Sequence, residues 1–364
     1  MIELISDPKK ITPDWLTQVL KHAGILTTGK VVNADWKIIG TGKMGDNVRF
    51  SVSYDGEYNA PATMVAKLPA MDETARTMAS LMGAYRKEVM FYSELAAHCD
   101  ITIPTIYLAL IDESGGDFII LMEDLAPAEP GSQLIGETAE RAKLAVAEAA
   151  KLHASFYDKQ ALLDKDYITH TDVDSAAFGQ ELLQQNWPGF VERFGHGLNK
   201  ECIAFGDEYV LNHVNWTCHY TGPKTLVHAD FRTENLLFAD DGTTTTVDWQ
   251  TLTESCGLAD VAYFLGGSLE TDDRRQCEQE TLEHYRQCLS DAGFTLSAEQ
   301  CWQQYREFSV HGLMITILGA MFSEAQERSD KMFLVMAQRH LQHCVDMKAN
   351  EFFKPLDSNT KELL

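Results

Sequence analysis

A short strand-like segment in an otherwise helical half of the chain constrains the fold more than any other feature. Residues 225–250 read TLVHADFRTENLLFADDGTTTTVDWQ and place Asp230, Asn235 and Asp248 among apolar, strand-forming neighbours. Burying a carboxylate costs free energy unless it is paired or binds a metal ion. Turn formation would explain Asp230 and Asn235 as side chains bonded to the backbone, but it leaves Asp248 unexplained. The segment therefore predicts a polar site.

The spacing of these polar groups indicates one kind of chemistry. His228 to Asn235 follow the pattern H-x-D-x-x-x-x-N, and Asp248 comes 13 residues later after an apolar residue. This is the arrangement of a kinase catalytic loop and its metal-binding aspartate. Phosphoryl transfer needs a carboxylate to accept the proton of the attacking hydroxyl, and oxygen ligands for magnesium. We predict Asp230 as the base, and Asn235 and Asp248 as Mg²⁺ ligands.

Upstream features of the same kind appear in kinase order. A glycine-rich stretch, IIGTGKMG at 38–45, suggests phosphate contacts at Gly42 and Gly45, although such a pattern also marks dinucleotide sites. A strand follows it here, which disfavours the dinucleotide alternative. Val65 and Lys67 share one face of a predicted strand. Val65 is therefore expected to pack on the nucleotide base while Lys67 reaches the phosphates.

Two further positions complete the predicted nucleotide site. Glu88 lies in a predicted helix over residues 73–98 and is expected to pair with Lys67, a surface position being the alternative. The backbone of Glu123 and Leu125, at the end of a predicted strand, is expected to hydrogen-bond an adenine edge. Glu123 is alternatively a plain connecting residue. The predicted cofactors are ATP, or GTP in its place, and Mg²⁺.

The periodicity of the chain predicts an α+β architecture. In the first part, Val48, Phe50 and Val52 alternate with polar residues, which is typical of a strand with one buried face. The later part is mostly helical. We therefore predict a bilobal, protein-kinase-like fold with a small antiparallel sheet at residues 1–125, which binds nucleotide. A larger helical lobe at residues 126–364 would contain the catalytic loop and the acceptor pocket.

Composition excludes several other classes of function. The chain has 54 Asp and Glu against 30 Lys and Arg, a net charge of -24, which disfavours nucleic acid as a partner. This charge would suit a cationic substrate, but solubility explains it as well. Neither a secretory signal nor a membrane-spanning stretch is evident, and the eight cysteines lack C-x-x-C spacing. A cytoplasmic protein without membrane insertion is expected, and its oligomeric state is not readable.

At these residues the sequence resembles the aminoglycoside phosphotransferase and choline kinase group, and most closely the ecdysteroid-kinase-like family. The resemblance covers roughly residues 35–330 and is carried by VAKLP, YRKEVMFYSEL, LMEDL, AAKLHASFYD, VHADFRTENLLF, VDWQ and GLADVAYFL. It implies the same roles for Asp230, Asn235, Asp248, Lys67 and Glu88. It also implies that Asp260 braces the catalytic loop, with His153 and His228 as mainly architectural residues.

The departures from the family pattern are few. Ala229 stands where the family usually has glycine, and Trp249-Gln250 replaces the Phe-Gly of protein kinases. Asp260 follows Asp248 by only 12 positions, which leaves no room for the activation segment that holds a peptide substrate. The expected activity is therefore ATP-dependent phosphorylation of a small-molecule hydroxyl. The alternatives are a catalytically silent nucleotide-binding regulatory protein and a serine/threonine protein kinase.

The acceptor itself is not identified by the sequence. Its pocket is expected in the helical lobe, between residues 178–213 and the C-terminal helices. Aromatic residues there would suit a sterol-like alcohol or cage a quaternary ammonium group, and the alternative is that they serve the helix core. These aromatic residues are Trp187, Phe190, Phe194 and Trp216.

Overall fold

The computed structural model describes residues 2–40 and 44–355, and the chain divides into two compact units. The first unit comprises Met1–Ala128 together with Thr245–Leu252, and the second comprises Glu129–Thr244 and Thr253–Leu364. The short segment that contains Asp248 thus belongs to the β-rich unit, although it is far from that unit in sequence. Asp230 belongs to the helical unit.

The first unit is built on an antiparallel sheet whose described strands run in the order β1-β2-β3-β5-β4. The predicted alternation holds, since Val48 and Phe50 are fully buried, in the same apolar cluster as Trp15 and Leu16 of the first helix. The elements are α1 (Pro13–His22), β1 (Lys30–Ile39), β2 (Gly45–Asp55), β3 (Thr63–Pro69), α2 (Glu73–Leu81), α3 (Ala84–Met90), β4 (Ile106–Ile111) and β5 (Phe118–Glu123).

The prediction of one continuous helix over residues 73–98 is wrong, because the segment is divided into shorter helices. Helix α2 begins at Asp72, whose side chain accepts a hydrogen bond from the backbone N–H of Ala75 at 2.8 Å. It ends before Gly83, which has φ +66°, a left-handed conformation that glycine adopts without steric cost. The helical conformation resumes with α3, which is followed by a π-helical turn over Phe91–Leu95.

The second unit is predominantly helical. Helix α8 is buried along its whole length, and α4 packs along α9 within one large apolar core. The elements are β6 (Glu129–Pro130), α4 (Ala139–Phe156), α5 (Gln160–Leu163), α6 (Val173–Phe194), α7 (Lys200–Thr217), β7 (Thr225–Val227), β8 (Leu236–Phe238), β9 (Thr244–Thr246), β10 (Thr253–Ser255), α8 (Leu258–Ser268), α9 (Thr271–Asp291), α10 (Ala298–Phe308), α11 (His311–Phe322) and α12 (Glu327–Met347). Strand β9 crosses the boundary between the two units.

The four aromatic residues considered for the acceptor pocket are core residues. Trp187, Phe190, Phe194 and Trp216 are all buried in the second unit, and the Trp187 and Phe190 rings stack at 5.5 Å between centroids. The Trp216 indole donates to a backbone carbonyl oxygen. The structure therefore supports the alternative in which these rings hold helices together.

Two findings bear on the expectations drawn from composition. All eight cysteines lie in the described part of the chain and are free thiols. Among the described residues, no helix has both the length and the apolar character needed to cross a lipid bilayer.

Candidate active site

The first unit buries a lysine between two carboxylates. Strand β3 carries Lys67, whose Nζ lies 2.9 and 2.7 Å from the two carboxylate oxygens of Glu88, on α3. The same ammonium lies 3.0 Å from Asp248 Oδ1. The structure thus brings together three residues that the sequence placed in one site, although 181 positions separate Lys67 from Asp248.

The electrostatics of this cluster keep the lysine charged. Burial by itself lowers the pKa of Lys67, but the Asp248 and Glu88 carboxylates outweigh it, so the pKa is raised above its ordinary value. Burial also raises the pKa of Glu88, against the opposing effect of the Lys67 ammonium. The Asp248 side chain is 39% exposed. Its carboxylate is therefore accessible to a cation from solvent.

Stacking anchors the Asp248 segment within the first unit. The fully buried Trp249 indole stacks on Phe91, with centroids 3.6 Å apart and ring planes at 10°. The backbone N–H of Thr246 also donates to the carbonyl oxygen of Thr102 at 2.8 Å. Asp248 itself has φ +70°, a conformation that is costly for a residue with a Cβ atom. The replacement of Phe-Gly by Trp-Gln thus leaves an aromatic ring packed next to the helix that carries Glu88.

The predicted phosphate contacts are described only in part. Gly42 lies outside the described residues. Gly45 begins β2 opposite Pro69, and a Cβ atom there would lie 3.1 Å from the Leu68 carbonyl oxygen and 3.6 Å from the Lys67 side chain. Glycine therefore allows the backbone to pass close to Lys67. Val65 is two residues before Lys67 on β3 and is partly exposed.

The two predicted adenine contacts differ in their hydrogen bonding. The Glu123 N–H donates to the Thr105 carbonyl oxygen at 2.9 Å, and its carboxylate accepts from the Thr105 N–H at 2.7 Å. Glu123 thus holds the start of β4. Within the described parts of the chain the Leu125 N–H has no acceptor, while its carbonyl oxygen accepts from Ala128. The Leu125 amide is therefore the better candidate for a base contact.

Sequence reasoning missed an ion pair beside these residues. Arg49 on β2 donates from its terminal nitrogen to Asp124 Oδ1 at 2.9 Å, and its Nε lies 2.8 Å from Oδ2. The Asp124 side chain is almost fully buried. A two-point guanidinium contact of this kind fixes both groups in orientation. The only sequence signal was a charged residue on the polar face of a strand, which is common.

In the second unit, the Asp230 carboxylate is held by three donors. Tyr263 Oη donates to Oδ1 at 3.0 Å, Asn235 Nδ2 donates to Oδ2 at 3.0 Å, and Arg232 Nε donates to Oδ2 at 3.3 Å. The guanidinium of Arg232 is also paired with Glu234. The Asp230 side chain is still 22% exposed. The Asp230 carboxylate is therefore both fixed in orientation and accessible to solvent, as a general base requires.

Asp260 holds the backbone of the loop that carries Asp230. Its fully buried carboxylate accepts from the backbone N–H groups of His228 at 2.8 Å and Ala229 at 2.9 Å, and lies 3.1 Å from His153 Nε2. Burial alone would raise the pKa of Asp260, but the hydrogen bond from His153 and the neighbouring donors hold it below its ordinary value. His153 is itself oriented by Tyr285 at 2.8 Å, which agrees with an architectural role.

The conformation of Ala229 explains the glycine that the family usually has there. Its φ is +66°, in the left-handed region that costs a residue with a Cβ atom about 1 kcal/mol. His311 Nε2 lies 3.1 Å from the Ala229 carbonyl oxygen, so the strained residue is held from both sides of its peptide unit.

The donor atoms fit the magnesium ion that the fold class implies. Asn235 uses its amide nitrogen on the carbonyl oxygen and the carboxylate of Asp230, and no described residue donates to its Oδ1. In the first unit, Asp248 has a partly exposed carboxylate. Hard oxygen ligands of these two kinds suit Mg²⁺, which keeps several waters and takes few protein ligands. The side chains of each unit, taken separately, are therefore compatible with the ion.

An antiparallel sheet bearing a buried Lys–Glu pair, and a helical unit bearing an H-x-D-x-x-x-x-N loop, define the protein-kinase-like class. The predicted α+β fold is thus confirmed. A sequence profile of the ecdysteroid kinase-like family matches residues 44–297, and the chain belongs to this family. The resemblance seen in the sequence is confirmed by this match. A search of curated proteins found no match.

Solved structures of the same fold come from several small-molecule kinases. Choline kinase from Cryptosporidium parvum is similar with a TM-score of 0.54 at 11% identity, over 90% of this chain and 94% of that one. An ethanolamine kinase from Plasmodium vivax has a TM-score of 0.50 at 12% identity, over 84% and 81%. The GDP complex of a variant aminoglycoside 2′-phosphotransferase has 0.50 at 14%, over 93% and 97%. Likenesses at such low identity show the fold.

Proposed function

We propose that the chain is an ATP-dependent phosphotransferase that places the γ-phosphate on a hydroxyl group of a small molecule. The observation that carries this proposal is the state of Asp230, a partly exposed carboxylate fixed by three hydrogen-bond donors. A carboxylate that is oriented in advance and still open to solvent is what general-base catalysis requires. Membership of the ecdysteroid kinase-like family supports the same conclusion.

Asp230 acts on the acceptor. Its carboxylate accepts the proton of the acceptor hydroxyl while the hydroxyl oxygen attacks the γ-phosphorus in line with the leaving group. A new phosphorus–oxygen bond forms to the acceptor, the bond to the β–γ bridging oxygen breaks, and ADP leaves. The group has no covalent role, so its contribution lies in orientation and proton acceptance.

Lys67 acts on the nucleotide. Its protonated ammonium is positioned by Glu88 to contact phosphate oxygens, and the Leu125 N–H, which has no acceptor among the described residues, is offered to the nucleotide base. Asn235 and Asp248 would hold Mg²⁺, which when bound neutralises charge on the triphosphate. GTP in place of ATP would use the same phosphate contacts. Val65 and Gly45 are proposed neighbours of the base and of the phosphates.

A small acceptor is supported by the segment between the two aspartates. Residues Thr253–Ser255 form β10, which pairs with β7, and α8 begins at Leu258. The interval between Asp248 and Asp260 therefore contains a turn, the short strand β10 and the first two residues of α8. It contains no extended platform on which a peptide substrate would lie.

Thermal unfolding and ADP release together test this proposal. With ATP and Mg²⁺ at about a hundred times the dissociation constant, the folded state should gain about 2.7 kcal/mol. Adding a panel of alcohols, amino alcohols and sterols should raise ADP release for at least one class. Asp230→Asn should keep the nucleotide-dependent stabilisation and lose turnover by about a thousandfold or more. Asp248→Asn should lose the magnesium-dependent part of the stabilisation.

The exposed Asp240, in the turn after β8, supplies a matched control. Asp240→Asn should leave both stabilisation and turnover unchanged. If neither ATP nor GTP stabilises the folded protein, the proposal is wrong. Stabilisation without turnover on the whole panel, unaffected by Asp230→Asn, would instead indicate a silent nucleotide-binding protein.

A further inference from the structure

Helix α8 delivers two side chains to the catalytic loop from one face. Asp260 and Tyr263 are three residues apart, a spacing that places both on the same side of a helix. Asp260 binds the loop backbone at His228 and Ala229. The Tyr263 hydroxyl donates to Oδ1 of the Asp230 side chain at 3.0 Å. The family pattern in the sequence singles out Asp260 but not Tyr263.

The ring of Tyr263 has almost no freedom to move. It is 1% exposed, and it stacks on His340 of α12 with centroids 5.1 Å apart and planes at 13°. The edge of His311, at the start of α11, lies against it at 5.7 Å. Three helices therefore fix the direction in which the hydroxyl points.

The hydroxyl stays a donor. Burial, together with the adjacent Asp230 carboxylate, raises the pKa of Tyr263 well above its ordinary value. A protonated phenol offers one proton, which the Tyr263 hydroxyl donates to Oδ1 of Asp230. The other carboxylate oxygen is held separately by Asn235 and Arg232.

We propose that Tyr263 is a positioning residue for the transfer reaction, because its hydroxyl holds the Asp230 carboxylate in the rotamer that meets the acceptor hydroxyl. This inference rests on the proposed function for its catalytic consequence. Without the tyrosine hydroxyl, Oδ1 loses its donor and the carboxylate is restrained at Oδ2 alone. The reacting oxygen is then displaced, while the nucleotide contacts of the first unit are unaffected.

Tyr263→Phe tests the inference because it removes the hydroxyl and keeps the ring. With ATP and Mg²⁺, and water as acceptor where no alcohol is yet known, kcat for ADP release should fall about 10- to 100-fold. The KM for ATP should stay within about twofold, since the variant changes no nucleotide contact. Placing 4-aminophenylalanine at position 263 restores a donor and should recover most of the rate. Tyr305→Phe is the matched control, since that equally buried hydroxyl donates to Glu278 instead.

Crystal structures of the wild-type protein and the Tyr263→Phe variant give a readout that does not depend on activity. We expect the Asp230 side chain to leave its wild-type position or to occupy more than one conformer. A superimposable Asp230, or an unchanged kcat, would overturn the inference. A loss of rate in Tyr305→Phe equal to that in Tyr263→Phe would also overturn it, because a general weakening of the helices would then be the cause.

The two proposals fail in different ways. If Asp230→Asn turns over ATP as fast as the wild type, the proposed function is wrong whatever Tyr263 does. If Asp230→Asn is inactive and Tyr263→Phe is fully active, only the positioning role is wrong. Should Tyr263→Phe not fold, the 4-aminophenylalanine protein still decides the matter, since its donor must restore both folding and rate.

Discussion

In the first unit the buried charge of Lys67 is balanced by opposite charges, whereas in the second unit the buried charge of Asp260 is satisfied by hydrogen bonds. Lys67 has two carboxylates within 3.0 Å. Asp260 has two backbone N–H groups and a histidine ring, none of which is obliged to be charged. Both groups are fully or almost fully buried.

The difference suits the two proposed tasks. A cation balanced by two carboxylates can exchange one of them for phosphate oxygens when a nucleotide binds, because the exchange preserves its charge balance. A carboxylate held by backbone donors has no such alternative, so the loop that it supports keeps one conformation. We therefore expect ligand binding to change the ion pairs of the first unit. In the second unit, we expect the loss of individual hydrogen bonds to lower the stability.

The largest expected effect comes from Asp260. Asp260→Asn replaces one of two acceptor oxygens by an N–H donor that faces the loop N–H groups, so buried donors are left unpaired. The free energy of unfolding should fall by about 3–5 kcal/mol, measured by urea denaturation. The exposed Asp240→Asn should change it by less than about 0.5 kcal/mol. A comparable loss in both variants would show that charge, and not the hydrogen bonds of Asp260, matters.

Lys67 should give a somewhat smaller loss, and one that a second substitution relieves. Lys67→Met leaves Glu88 buried without its cation and should cost about 3 kcal/mol of unfolding free energy. Adding Glu88→Gln removes the uncompensated charge, so the double variant should be more stable than Lys67→Met alone. The coupling energy in the double-mutant cycle should reach about 1–3 kcal/mol. Strict additivity would contradict a charge-balanced pair.

Acid should weaken the second unit before the first. Burial lowers the pKa of His213 to about 4 and that of His340 to about 3, both in helices of the second unit. The unfolded chain takes up protons below about pH 6.5 that the folded chain does not. Stability is therefore lost as the pH falls from about 6.5 towards the folded-state values, by about 2 kcal/mol for each histidine at pH 5.

Two further observations sharpen the pH experiment. Glu307, whose pKa burial raises to about 7, opposes the histidines, since its folded form holds a proton between about pH 4.5 and 7. His213→Gln should remove about 2 kcal/mol of the difference in unfolding free energy between pH 7.5 and pH 5. Hydrogen-exchange protection factors, which correct for the intrinsic pH dependence of exchange, should fall at pH 5 in α7 and α12 more than in β2 and β3. An equal fall in both units would contradict the comparison.

The smallest effect concerns backbone strain. Ala229→Gly relieves the left-handed conformation at φ +66° but makes the unfolded chain more flexible, so a net stabilisation of about 0.5 kcal/mol is expected. Ala262→Gly, in the interior of α8, should have the opposite sign and cost about 1 kcal/mol. Urea denaturation of the two variants gives the comparison directly. Destabilisation by Ala229→Gly would show that the loop does not carry strain at this position.

Much of the candidate site was predictable because its signals are local. His228 and Asn235 are only seven residues apart in the sequence. The pattern that they form can therefore be recognised without knowledge of the fold. The prediction that Lys67 pairs with Glu88 was also correct in its contact. The roles of these residues in catalysis remain predictions until the variants above are measured.

The long helix and the aromatic residues show where local patterns fail. The helix predicted over residues 73–98 is interrupted at Gly83, and the side chains of Tyr85, Glu88, Tyr92 and Leu95, which follow the interruption, are all buried. Trp187 and Phe190 are of residue types that often line binding surfaces, but both lie in the core. A residue type states what a side chain can contact, and packing decides which contact it makes.

The sequence by itself determined the alternating strands, the catalytic-loop pattern and the family, because these depend on residues a few positions apart. The tertiary structure decided that Asp248 joins the first unit and contacts Lys67, that Arg49 holds Asp124, and that Tyr263 holds Asp230. These contacts join residues 33 to 181 positions apart. Such pairs form only when the packing of whole elements brings them together, since loop closure over long separations has no signature in local sequence.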